Sequence, residues 1–224
     1  MNKTSLKISY IFNILIVLFV IFALIIMFAR IKFFNMSDPV SEVHWYGMMK
    51  YFTTQSNIFV AIASLLLLLE ERKVINDKRK SISYGYYVFK LIATVSVSVT
   101  FLTVFLYLGP ASPGGIGSML TNSNFFFHFL VPVLSIVSFI LFERTNKIDK
   151  KYIKYGILPT FMYGVFYVTN ICLHIENYKV STKYDWYWFL QRGLWTGLII
   201  VPFMLIMSYF ICYLLYKVNY KNKK

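Results

Sequence analysis

The chain has 224 residues, of which 58% are hydrophobic, 20% aromatic and only 14% charged, with a formal net charge of +14. A soluble domain carries about 25% charged residues, so this composition excludes an ordinary soluble enzyme and points to an integral membrane protein. The positive charge does not point to nucleic acid, because the Lys and Arg residues fall between apolar runs, where they act as topology signals.

In chain order, six stretches approach the roughly 20 apolar residues that a bilayer core of about 30 Å requires. They run over 8–29, 51–69, 86–108, 124–142, 153–175 and 190–216. The fold class expected is therefore all-α: one domain over 1–224, a polytopic bundle of six transmembrane helices. The first run ends in Ala29-Arg30-Ile31-Lys32 without a small-residue cleavage pattern, so it reads as a retained helix rather than a signal peptide.

Most of the 23 Lys and Arg residues collect on one side of this layout: Lys3 and Lys7, the loops 72–80 and 144–154, and the C-terminal lysines. Lys90, near the start of the third run, is expected to snorkel to the same side. The positive-inside rule then makes both termini cytoplasmic in a multi-pass plasma-membrane protein. All four tryptophans, Trp45, Trp186, Trp188 and Trp195, fall at the outer interface, where an apolar ring with a polar N–H is favoured. The uncharged loop 109–123 contains Pro113-Gly-Gly-Ile-Gly117 and is expected to be irregular, lying on the membrane or folding back as a lid. Cys172 and Cys212 fall at opposite faces, too far apart for a disulfide.

Sorted by depth, the polar residues gather near the outer face. Thr53, Gln55, Ser56 and Asn57 open the second helix, Asn124 and His128 the fourth; Thr169, Asn170 and His174 close the fifth; Gln191, Arg192 and Thr196 open the sixth, preceded by Asp185. The inner halves read as aliphatic and aromatic apart from Ser/Thr rows, with no carboxylate at mid-membrane depth, which argues against a metal-driven site or a carboxylate relay. His44 reads as a solvated or interfacial residue of the first outer loop, and Glu176 and Asp185 as partners of Lys179, Lys183 or Arg192.

Asn124 and His128 stand four residues apart, as do Thr53 and Asn57, a spacing that puts each pair on one helix face. A Thr hydroxyl opposite a His imidazole forms a nucleophile and general base, with Thr53 and His128 in those roles. Asn124 would orient the ring, Asn57 or Arg192 would stabilise an oxyanion, and Ser56 would line the pocket. The plainer alternative is structural: helical Thr bonds its own i−4 carbonyl, and buried His and Asn bridge helices. The row Thr94, Ser96, Ser98, Thr100 and Thr103 reads as close helix packing.

Lys50-Tyr51-Phe52-Thr53 resembles the Lys-aromatic-apolar-Thr motif of the androgen-induced protein and androgen-dependent TFPI-regulating protein family. Asn124-Phe-Phe-Phe-His128 ahead of Pro132 resembles that family's Asn-x-x-x-His motif. The patterns Phe52-Thr53-Thr54-Gln55-Ser56-Asn57, His128-x-x-x-Pro132 and Asp185-Trp-Tyr-Trp-Phe-Leu190 are similar to those of its bacterial six-helix relatives. The resemblance implies a six-helix fold and a Thr53 nucleophile paired with His128, hydrolysing fatty-acid esters, with membrane lipids as partners and no cofactor or metal. Phe125 stands where the animal proteins carry a second His, and Pro132 lies one residue closer to His128. A lipid-binding protein without turnover is a second reading. A third is a small-molecule uptake subunit of the energy-coupling-factor type, but the first helix lacks the small-residue spacing through which those subunits dock.

Overall fold

The computed structural model describes residues 3–31, 45–143, 148–177, 179–190 and 193–221. Its main helices are α1 (Lys3–Ala29), α2 (Phe52–Ile75), α3 (Tyr84–Ala111), α4 (Asn122–Leu141), α5 (Leu158–Cys172) and α6 (Gly197–Lys221). Five of these, all but α5, are long and apolar enough to cross a membrane. The chain is a multi-pass, all-α integral membrane protein, with one two-residue hairpin pairing Ile175–Glu176 with Lys179–Val180.

Proline explains where the helices depart from α geometry. A proline has no N–H for the carbonyl four residues back and clashes with it. Pro132 confronts the His128 carbonyl, and the helix widens into a π turn over Phe126–Leu130. Pro110 confronts Leu106 in the same way, inside the π turn Val104–Leu108. Before Pro159 the chain instead tightens into a 3₁₀ segment, Lys150–Ile157, which leads directly into α5. The expected fifth span over 153–175 is thus a 3₁₀ turn plus a 15-residue α-helix. The loop expected to be irregular over 109–123 also forms local helical turns, at Gly109–Ala111 and Gly115–Ser118.

Helix α1 packs along α2 and α4, and α3 runs through the middle, against α2, α4 and α6. Two apolar cores result. One joins Ile16, Val20 and Ala23 of α1 to Val60, Ala93, Val97 and Phe127. The other joins Leu91 and Val95 of α3 to Phe139, Ile153, Ile171 and Cys212. The small residues of α3 permit the close approach expected of them: Thr94 and Ser135 hydroxyls meet at 2.8 Å, and Ser96, Ser98 and Thr100 bond back to carbonyls four residues earlier. Both cysteines are free, Cys172 exposed and Cys212 buried.

Candidate functional site

Thr53 sits in the first turn of α2 and opens onto a cavity of about 350 Å³ bounded by α2, α3, α5 and α6. The walls are apolar, with Phe161, Val165, Val201 and Met204 among them. Phe161 and Val165 are also exposed, so the cavity reaches the exposed face of the bundle at α5. Its polar lining is made of hydroxyls: Thr53, Thr100, Thr103, Thr160, Tyr163, Tyr167, Thr169 and Tyr187.

The tyrosines are fixed by the segment Asp185–Leu190. Asp185 is buried, and its carboxylate accepts the Phe189 N–H at 3.0 Å, the Leu190 N–H at 2.9 Å and the Tyr167 hydroxyl. The expected pairing of Asp185 with Lys179 or Lys183 is corrected: neutral donors bond to it and fold the segment around it. That turn places Tyr187 at the start of α2, where its phenol oxygen accepts the Phe52 N–H at 2.8 Å and faces the Thr53 hydroxyl. The phenol thereby occupies an otherwise orphan helix N-terminal donor. Burial pushes Tyr187 up to about 12, although the Tyr163 hydroxyl and these N–H groups pull the other way. Tyr163 donates to the Lys50 carbonyl at 2.8 Å and accepts the Trp186 indole N–H at 3.0 Å.

His128 is buried in the π turn of α4 and is not among the residues lining this cavity. Its Nδ1 lies 2.6 Å from the Met119 carbonyl. A carbonyl only accepts, so Nδ1 carries the proton, and the bond fastens the 109–123 connection to α4. Asn124 does not take the ring-orienting role expected of it at Nδ1, since a π turn breaks the α spacing between the two residues. Asn57 is fully buried and bridges two helices: Nδ2 donates to the Thr53 carbonyl at 2.8 Å and to the Phe127 carbonyl at 3.0 Å. Its Oδ1 is buried without a hydrogen-bond partner among the described residues. Ser56 meets Thr100 at 3.0 Å. His174 stacks on Tyr184, with ring centres 3.6 Å apart, away from the cavity. Arg192 and His44 lie outside the described residues.

A second constellation, at the lysine-rich end of the bundle, is absent from the sequence reading. Lys90 does not snorkel; it is fully buried. Its ammonium donates to Asn13 Oδ1 at 2.7 Å and to Ser64, and lies 3.7 Å from Glu143 Oε1. Asn13 Nδ2 reaches Glu71 at 3.3 Å and Glu143 at 3.2 Å; Ser9 donates to Glu71, and Ser138 to Glu143 at 2.7 Å. Glu71 and Glu143 are both fully buried. Asn219 of α6 closes the array by donating to the Glu143 and Phe139 carbonyls at 3.2 and 2.9 Å. This buried network corrects the expectation of purely apolar inner halves. Its legible signals are Asn13, a lone amide inside an apolar run, and Lys90, a cation inside the third run. Its evident work is to lock α1, α2, α3 and α4 together.

No family model, no curated protein and no solved structure matches the chain.

Proposed function

We propose that this is a plasma-membrane protein of six spans, with both termini cytoplasmic, that binds the acyl chain of a lipid in the cavity behind Thr53. The sixth span is the run Lys150–Cys172. A 3₁₀ rise of about 2.0 Å per residue and an α rise of about 1.5 Å make that run about 38 Å long, enough for a bilayer core of about 30 Å. The positive-inside distribution supports the orientation.

The observation that carries the binding reading is the cavity itself. It is apolar, it reaches the exposed face of α5, and hydroxyls among its lining residues suit an ester or other polar linkage. Ligand pockets have this character, with apolar walls and a few fixed polar groups. The resemblance to the androgen-induced protein family adds a chemistry, hydrolysis of a fatty-acid ester by Thr53 with His128 as base. Thr53 lines the cavity and, among the described residues, no imidazole does, so the geometry supports binding ahead of turnover.

The test is crosslinking of purified protein with a photoactivatable acyl ester. Labelling is expected at α5 and α6 residues such as Phe161 and Met204. It should be lost in Gly164→Trp, which fills the cavity from a lining position where a new Cβ meets nothing within 4 Å. Labelling that is unchanged in that variant refutes the site. A fluorophosphonate arm separates the chemistry, since such a probe marks only an activated nucleophile. Adducts lost in both Thr53→Ala and His128→Ala would establish a reactive Thr/His pair, whose ester turnover is then assayed directly, and no adduct would leave a binding protein.

A further inference from the structure

A second cleft of about 410 Å³ lies beside the first, lined by Gln55, Ser56, Phe59, Met162 and Phe166 among others. Phe52 and Tyr163 line both cavities. Their rings, with centres 5.1 Å apart, form the partition between them. The top of that partition is tied to Lys50, whose carbonyl takes the Tyr163 hydroxyl bond.

Lys50 projects its ammonium over the Trp186 ring, 4.6 Å from its centre. Trp186 in turn packs against Phe166 of the second cleft and Tyr167 of the first. The cation therefore stands beside the Phe52–Tyr163 partition, next to the walls of the two clefts without lining either. It is half-buried, it lies 3.4 Å from the Lys183 carbonyl, and the Lys183 side chain adds a second positive charge. Burial, and behind it that like charge, hold Lys50 below the ordinary lysine range. Among the described residues no carboxylate pairs with either lysine, and the neighbouring Asp185 has both oxygens engaged by Tyr167, Phe189 and Leu190. Partly burying a cation beside a like charge is unfavourable unless an anion joins it.

We infer that the lipid held here is a two-chained anionic phospholipid, its phosphate between Lys50 and Lys183 and one acyl chain on each side of the Phe52–Tyr163 partition. The inference rests on the lipid-binding reading above and names the class of lipid. Charge selects the head group: an ammonium near a membrane surface favours an anionic lipid by about fivefold, so the two lysines together give a preference of roughly 25-fold at low salt. Added salt weakens it.

The experiment compares phosphatidylglycerol with phosphatidylcholine, both carrying the same pair of diazirine chains, on purified full-length protein in a neutral detergent, with crosslinks mapped by peptide mass spectrometry. Phosphatidylglycerol should label both clefts, for example Met204 in the first and Met162 in the second, and exceed phosphatidylcholine by the stated factor. In Lys50→Gln/Lys183→Gln the two lipids should label equally, and Lys50→Arg/Lys183→Arg should keep the preference. Tyr163 and Lys50 bond to backbone carbonyls at these two positions, so neither exchange removes an acceptor from the fold. Equal labelling in the wild type, a preference that survives the Gln pair or fails with the Arg pair, or labelling confined to the first cleft would each overturn the inference while the single-chain reading stands; labelling confined to the second cleft would overturn both. Labelling of neither cleft by either lipid would sink that reading itself, and this inference with it.

Discussion

Replacing Lys90 by Met removes an ammonium from a site that water does not reach, while keeping the length and packing of the side chain. Three interactions go with it: the 2.7 Å bond to Asn13, the bond to Ser64 and the 3.7 Å approach to Glu143. Breaking a buried ion pair from one side costs about 3–5 kcal/mol. Ser138 and Asn13 still donate to Glu143, which places the cost at the lower end, about 3 kcal/mol. For a chain of this size each kcal/mol lowers the melting temperature by about 2–4 °C, so a fall of roughly 6–12 °C is expected. The assay is thermal unfolding of purified protein in one detergent, followed by tryptophan fluorescence. Adding Glu143→Gln should recover part of the loss, because the second change removes the carboxyl group that the first leaves without a cation. A Lys90→Met melting temperature within about 2 °C of the wild type, or a double variant that simply sums the two losses, would refute the claim that this network holds the bundle.

Two further outcomes follow from the geometry. Tyr187, pushed up to about 12 by burial, keeps its proton more tightly folded than unfolded, where a tyrosine titrates near 10. Its contribution is therefore complete below about pH 10 and is lost as the pH rises through about 12. Tyr187→Phe should cost about 1 kcal/mol at neutral pH by freeing the Phe52 N–H, and should flatten the alkaline fall in melting temperature between about pH 10 and about 12; an unchanged alkaline limb would count against the burial of this phenol. At Gly156 an added Cβ would fall 2.6 Å from both Cβ and Sγ of Cys212, so Gly156→Ala should lower stability by about 1–3 kcal/mol. Cys212→Ala in the same chain should recover only part of this, since the Cβ contact remains; a neutral Gly156→Ala in thermal unfolding would show that the 3₁₀ segment does not press on α6 as described.

The long helices were legible because apolar runs of about 20 residues have few alternatives. The short α5 was less so, since composition cannot distinguish a 3₁₀ turn from the start of an α-helix. The two π turns were readable in principle from Pro110 and Pro132, each four residues beyond a carbonyl it cannot satisfy. Thr53 stood out by its place at a helix start, yet its neighbours Tyr163, Tyr167 and Tyr187 did not. Tyrosines near a membrane end read as interface belt, and no periodicity joins residue 53 to residue 187. Lys90 was misread for a related reason. Snorkelling considers only the distance along a residue's own helix, whereas its counter-charges come from Glu71 and Glu143, which in sequence look like the beginnings of loops.

The two constellations divide the bundle mechanically. Ser9, Asn13, Ser64, Glu71, Lys90, Ser138 and Glu143 connect α1 through α4 at the lysine-rich end. The Thr53 cavity lies between α5 and α6; α6 packs on α3 and on the Lys150–Ile157 segment, whereas α5 touches both α3 and α6 sparingly. Asn219 ties the C-terminal end of α6 to the network, while the α6 residues that line the cavity, Ile200 to Leu205, lie at its other end. The charged network is a scaffold for the cavity and not a part of it, so its loss and the loss of binding are separable. Lys90→Met protein held well below its lowered melting temperature should therefore still show acyl-chain crosslinks at Phe161 and Met204 in wild-type proportion. If those crosslinks disappear while the protein remains folded, the cavity depends on the far end of the bundle, and the division drawn here is wrong.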